Sequence, residues 1–264
     1  MKITNLFIYP IKSLGGISKN SAEVGMKGLA FDRRWTLVGP DNVFLSQRTV
    51  PVLGNFLVKE LETSFLVKNK KTNNEIEIPK SPTVSDSEII KIWNDEINAL
   101  NMGAFFNDWF SKETGMEVRL FFQPEVSIRP IDFKYAVNQT EETSLSDGYP
   151  ILIISQGSLN KLNEHCPETM VMERFRPNIV IDEQTPHFED DLKGFSIGSV
   201  ELYGVKPCAR CIVTTINPDD LVKTAEPLKT LSTYRKVGNK ILFGQNVVVH
   251  KTGLIKIGDE IVIA

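Results

Sequence analysis

Two of the chain's three cysteines stand close together in Lys206-Pro207-Cys208-Ala209-Arg210-Cys211-Ile212-Val213-Thr214-Thr215-Ile216-Asn217-Pro218-Asp219, with an arginine between them. A fixed positive charge favours S⁻ over SH, so a thiol beside a guanidinium ionises more readily. A thiolate is also the ligand that soft metals select. Three uses of such a stretch compete: half of a zinc site, a dithiol redox pair, or one thiolate ligand to a bound metal cofactor. Burial as small apolar groups is the bland alternative.

Tetrahedral zinc needs two more ligands, and no second Cys-x-x-Cys pair exists. His165 and Cys166 are adjacent to each other, and His187 and His250 stand alone. A thioredoxin-type pair should open a helix. Here Ile212 to Ile216 is rich in β-branched residues and reads as strand. Both generic uses weaken.

Other residues could grip an anion. Lys12-Ser13, next to Gly15-Gly16, can offer charge, hydroxyl and open backbone to a phosphate; an ordinary hairpin tip is the plain alternative. If Asp32 to Val38 is a strand, alternation sends Arg33 and Trp35 to one face and Arg34 to the other. Arg176 precedes Pro177, which biases it toward extended backbone and lets it project from a strand start. A surface ion pair with Glu173 or Asp182 is its alternative.

The elements that would carry these groups are mostly strands. Ile3 to Val38 reads as strands joined by a loop, Asn74 to Ile78 as a half-exposed strand, and Ser81 to Ser87 as a loop. Met102, Phe105, Phe106, Trp109 and Phe110 recur at helical spacing as a core-facing stripe, with Gly115 at the C-terminal cap. A domain change falls near Phe121 to Tyr135, giving domains over 1–122 and 123–264, and Gln123 to Glu142 reads as a mobile rim loop. Beyond Ser146-Asp147-Gly148-Tyr149-Pro150 comes a buried strand, Ile151 to Ile154. Ser155 then caps a helix bearing Leu159 and Leu162, with Cys166 as a small core residue on that face. Ile179-Val180-Ile181 and Val200 to Leu202 read as further strands, and Leu221 to Gly238 as helical or irregular. Val247 to Val249 and the pair within Ile255 to Ile263, turning at Gly258-Asp259, close the chain.

Cys-x-Arg-Cys-Ile-x-Thr-Thr followed by Asn217-Pro218-Asp219 resembles the cysteine motif of MOSC-domain proteins, among them the mitochondrial amidoxime-reducing component and its bacterial counterparts. Tyr9-Pro10-Ile11-Lys12-Ser13, Phe31-Asp32-Arg33-Arg34-Trp35, Phe175-Arg176-Pro177-Asn178-Ile179 and Leu242-Phe243-Gly244-Gln245 recur in the same order as in that family. The resemblance implies an α+β, β-dominated fold, with a MOSC β-barrel domain behind a β-rich N-terminal MOSC-associated domain. It implies a molybdenum cofactor, a molybdopterin whose metal would take Cys211 as ligand and catalytic residue. Lys12, Ser13 and Arg33 would hold that cofactor from the first domain. Gly148, Tyr149, Arg176, Asn178, Arg210 and Asn246 would do so from the second, Gly148 and Tyr149 through backbone donors.

The implied activity is reduction of small N-hydroxylated compounds such as amidoximes, hydroxamic acids or hydroxylaminopurines. A non-catalytic carrier of the cofactor, or of sulfur on Cys211, and a zinc-stabilised binding module are the alternatives. Some bacterial relatives carry a ferredoxin domain at the C-terminus, whereas this sequence stops at Ala264. There is no Rossmann fingerprint, haem motif or iron–sulfur cysteine set. Electrons are therefore expected from a separate ferredoxin, flavodoxin or cytochrome-type protein and its reductase. A net charge of −3 gives no pull toward nucleic acid, and the apolar run Leu6 to Tyr9 is too short for an anchor or signal. Sparse cysteines fit a reducing compartment, and the expected location is the cytoplasm, with no membrane partner.

Overall fold

The computed structural model describes residues 1–263. In chain order the first half holds β1 (Ile3–Ile8), β2 (Ile17–Lys19), β3 (Ser21–Gly25), β4 (Gly28–Leu29), β5 (Trp35–Val38), β6 (Phe56–Glu60), β7 (Ser64–Asn69), β8 (Glu75–Pro79), β9 (Ser87–Ile92), β10 (Asp95–Asn101), α1 (Ala104–Thr114) and β11 (Arg119–Phe122). The second half holds β12 (Ile151–Ser155), α2 (Gln156–His165), β13 (Ile179–Ile181), β14 (Gly194–Ile197), β15 (Val200–Ala209), α3 (Leu228–Ser232), β16 (Lys236–Val237), β17 (Lys240–Lys251), β18 (Gly253–Lys256) and β19 (Ile261–Ile263). The fold is α+β and dominated by strands.

A nine-stranded sheet in the order β19-β14-β15-β17-β12-β13-β1-β2, with β16 beside β17, wraps one apolar core. The β18-β3-β4 sheet covers the other side: Ala22, Val24 and Ile255 meet Ile8, Ile153, Ile181 and Val249 in the same cluster. Strand alternation decides what faces outward. Ile151 and Ile153 point into this core, whereas Leu152 and Ile154 turn to a second cluster shared with Phe7, Tyr9, Val180, Phe243 and helix α2. That outward face is the one on which the candidate site lies. The β5-β11-β10-β9 and β6-β7-β8 sheets pack with α1 around Trp35, Phe65 and Phe110. Because β1 and β2 sit in the nine-stranded sheet, residues from both ends of the sequence share it.

Several expected elements are present. Ser155 caps α2, its Oγ accepting from Ser158 N at 3.1 Å. Gly115 adopts the left-handed conformation after α1, at φ 72°. Within the aromatic stripe Phe110 is buried, but Phe105 is 72% exposed because it is rotated about 100° from Phe106 around the helix.

Other elements differ. Residues 212–215 form a 3₁₀ turn, Ile212–Thr215, not a strand. The hydroxyls of Thr214 and Thr215 donate to the Cys211 and Ile212 carbonyls at 2.9 and 2.7 Å, which competes with a ladder. The strand after Asp32 begins at Trp35, and Arg33 is left-handed at φ 50°, so no strand alternation places it. Arg176 is also left-handed, at φ 54° and ψ 47°, ending the short turn Met172–Phe175. The pre-proline bias yields there because the Arg176 carbonyl accepts from Arg33 Nη2 at 3.1 Å. β18 and β19 do not form a hairpin; they pair with β3 and β14, while Gly258 and Asp259 bond the backbone of Ile3. The Gln123 to Glu142 segment is pinned by Arg129, 2% exposed, which donates to Asp95, Ser144 O and Ser146 O. Cys166 is half-buried against the second cluster, its side chain beside Glu226.

Candidate active site

One cleft of about 870 Å³, mouth included, is lined by Lys12, Ser13, Arg33, Gly148, Tyr149, Arg176, Asn178, Arg210, Cys211 and Asn246. The ten residues expected to contact the cofactor or metal thus line one space. Arg48, Trp93, Asp147, Arg174 and Cys208 join them. Lys12, Arg33, Arg48, Arg174, Arg176 and Arg210 supply positive charge, and Asp147 is the one carboxylate lining it among the described residues.

The floor is set by Asp32, Tyr9 and Asn178. Buried Asp32 accepts from Tyr9 N at 2.8 Å and from Arg33 Nη1 at 2.6 Å. Arg33 and Arg176 stack their guanidinium groups on the Tyr9 ring, 4.3 and 4.1 Å from its centroid. Gly16 is required for this, since a Cβ there would run into the Tyr9 ring. Burial and then the neighbouring Arg33 lower the Arg176 pKa to about 10. Burial raises the Tyr9 phenol well above its ordinary value despite the two arginines.

Asn178 is committed to the protein. Its Oδ1 accepts from Leu152 N and Arg33 Nη1, both at 3.1 Å, and its Nδ2 donates to Phe7 O at 3.2 Å. Both carbonyl lone pairs are taken, so Asn178 fastens Arg33 to β12 and β1 and has little to offer a ligand.

The rim on one side is a charge relay of fixed groups. Lys12, 6% exposed, donates to Asp147 Oδ1 at 2.6 Å, and Trp93 Nε1 donates to the same oxygen at 3.3 Å. Arg48 stacks on Trp93 at 4.4 Å and lies 3.7 Å from Asp147. Burial lowers the Lys12 pKa, against Asp147. Burial alone would raise Asp147; Lys12 and Arg48 hold it well below the usual carboxylate range. Ser146 Oγ closes the loop by donating to Tyr149 O at 2.7 Å. A Cβ at Gly148 would meet nothing within 4 Å. Asn246 sits in the ladder opposite Leu152 and Lys206, and Ser13 Oγ makes a long bond to Leu45 O at 3.4 Å.

At the opposite wall β15 ends at Ala209 and Cys211 opens the 3₁₀ turn in extended backbone. All three cysteines are free. Arg210 Nη1 donates to Cys208 Sγ at 3.1 Å and its Nη2 to Phe175 O at 2.6 Å. The guanidinium between the cysteines is therefore turned to Cys208, which leaves Cys211 for another partner.

Residues 140–262 match the MOSC domain, and residues 1–117 match the MOSC N-terminal beta barrel domain. The chain belongs to the MOSC family. It is 30% identical to mitochondrial amidoxime-reducing component 1 of Homo sapiens, over 98% of this chain and 82% of that protein. It is 28% identical to molybdenum cofactor sulfurase of Danio rerio, over 92% of this chain but 31% of that protein. Among solved structures, the YuaD protein of Bacillus subtilis aligns over 98% of this chain and 93% of its own, at 11% identity and a TM-score of 0.41.

The cleft suits the cofactor associated with this MOSC family, judged by its own unmet donors. Arg48 Nε, Arg174 Nε and Nη1, Arg176 Nη2 and Arg210 Nε are buried without hydrogen-bond partners. Buried N–H groups of this kind call for an acceptor, and an anion with several oxygens would answer those of Arg48, Arg176 and Arg210 together. Among the described residues no three His, Cys, Asp or Glu side chains converge to hold a metal ion, so a zinc module finds no ligand set there. Tyr9, Arg48, Trp93 and Asp147 were not legible as site residues. Arg48 and Trp93 come from a loop and a hairpin tip remote in sequence from every family motif, whereas Tyr9 and Asp147 lie inside quoted runs but were given no role there. No helix among the described residues is long and apolar enough to cross a membrane.

Proposed function

We propose that this chain is a molybdenum-cofactor-dependent reductase of small N-hydroxylated compounds, including amidoximes, hydroxamic acids and hydroxylaminopurines. The observation that carries the reading is the meeting of a free Cys211 thiol with partnerless buried guanidinium N–H groups in a single cleft. The similarity to amidoxime-reducing component 1 gives the reaction class. When bound, the cofactor would supply the two-electron chemistry that breaks the N–O bond and releases water.

The chain's own residues would do the holding. Cys211 would give a thiolate to the metal. Lys12, Arg33, Arg176 and Arg210 would neutralise the cofactor's phosphate and orient it through charge-assisted bonds. Ser13, Gly148, Tyr149 and Asn246 would complete the lining. Asn178 acts one step back, by fixing Arg33.

Electrons would come from a separate ferredoxin, flavodoxin or cytochrome-type protein with its reductase, and the cytoplasm is the proposed compartment. Purified protein is expected to reduce benzamidoxime with an artificial low-potential donor and not with NADH or NADPH alone. Robust turnover by the single chain with NADH would contradict this. The likeness to molybdenum cofactor sulfurase favours a second reading, carriage of the cofactor or of sulfur on Cys211. Full molybdenum loading without turnover under any donor would select that one.

A further inference from the structure

A second chamber of about 1,400 Å³, mouth included, adjoins the cationic cleft. Gln47, Arg174, Arg176 and Val213 line both spaces and so form the neck between them. Beyond the neck the walls change character: Leu57, Val171, Ile216, Pro218 and Leu221 make them largely apolar, with the carboxylates of Glu173 and Asp219 among them. Leu57 and Val171 are 49% and 46% exposed, so this apolar lining faces open space instead of being packed away. The one amine on this side, Lys70 Nζ, is taken up by the carbonyls of Pro218 and Asp219 at 2.9 and 3.4 Å.

The neck end carries polar groups with no partner. Tyr9 lines the chamber, is 2% exposed, and its hydroxyl makes no hydrogen bond. Arg174 is 7% exposed with Nε and Nη1 free. An occupant matching these features has a compact polar head with acceptor atoms at the neck and an apolar body without negative charge beyond it, since Glu173 and Asp219 would repel an anion.

We infer that this chamber binds the apolar body of the N-hydroxylated substrate, with the N–OH end at Tyr9 and Arg174 beside the neck. The inference rests on the proposed reductase function and narrows it to non-anionic substrates with aryl or alkyl bodies. Val213 lies two residues beyond Cys211, so a head held at the neck borders the wall that carries the thiol.

The test is calorimetric binding of benzamidoximes bearing para-alkyl groups to the full chain made in a cofactor-producing host, without reductant. A fully buried methylene strengthens binding about four-fold. The butyl compound is therefore expected to bind at least about ten-fold more tightly than the unsubstituted one, at one site per chain. Leu57→Asp and Val171→Asp change half-exposed positions and are expected to keep the melting temperature while reducing that ratio to below about three-fold. No binding by the wild type, no dependence on alkyl length, or the same dependence in both variants overturns the inference. Molybdenum content and turnover, measured on the same preparation, judge the reductase reading separately: loaded, active protein that shows no alkyl dependence sinks the chamber alone.

Discussion

At the C-terminal end of α1, Glu113 accepts from Asn69 Nδ2 at 2.7 Å, Thr72 Oγ1 at 2.6 Å and Asn74 Nδ2 at 2.7 Å. In the cleft, by contrast, Arg48, Arg174, Arg176 and Arg210 keep buried N–H groups that meet no acceptor. Both regions bury charge. The first is closed on itself, so its polar groups latch the β7–β8 turn to the helix. The second is open on the ligand side and closed only behind, where Asp32 and Asn178 hold Arg33. What distinguishes the cleft is that several open guanidinium N–H groups converge on one space, which suits them to a ligand.

The largest effect should come from the sulfur that the protein leaves unengaged. Cys211→Ser is expected to abolish N-reduction, whereas Cys208→Ser, which removes the thiol already bonded to Arg210, should keep substantial activity. Equal losses in steady-state rates would remove the distinction between the two thiols.

The arginines sharpen the contrast further. Arg176 has an open Nη2, so Arg176→Ala should lower cofactor occupancy through loss of a charge-assisted bond of about 1.5–3 kcal/mol, with a small change in melting temperature. Arg33 is satisfied on the protein side, and Arg33→Ala would leave Asp32 buried and uncompensated. It should lower stability by about 3 kcal/mol as well as occupancy. Denaturant unfolding beside molybdenum analysis separates the two; equal stability losses would mean that both arginines are architectural.

The smallest effect belongs to the latch. Burial would raise the Glu113 carboxyl, but the bonds from Thr72, Asn74 and Asn69 outweigh it and lower its pKa below the ordinary 4.5. A depressed folded value means stability that is present above pH 4.5 and lost as pH falls through the folded pKa. Glu113→Gln should therefore melt earlier than wild type at neutral pH, with the gap closing in acid and molybdenum content unchanged throughout. A gap that persists at low pH would show that the carboxylate charge is not what the latch uses.

The motifs around Lys12, Arg33, Arg176 and Cys211 were legible because they are short runs of chemically distinctive residues. The alternation of Ile151 to Ile154 and the spacing along α1 were legible because periodicity records which side is buried. What local rules could not supply was backbone set by distant partners. Arg33 and Arg176 are left-handed because they complete one network across Tyr9, Asp32 and Asn178. The Thr214 and Thr215 hydroxyls overrode a β-branched run. Asn178 looked like a ligand residue by position, and its saturation appears only once β1 and β12 are beside it. Arg48 and Trp93 came to the rim through fold contacts that no spacing encodes.

Molybdenum, phosphorus and zinc content of protein made in a cofactor-producing host tests the central claim most directly, measured for wild type, Cys208→Ser, Cys211→Ser and Arg176→Ala. The account predicts molybdenum with phosphorus and no zinc in wild type, retained in Cys208→Ser and reduced in the other two. Zinc in wild type, lost equally from both cysteine variants, would contradict it.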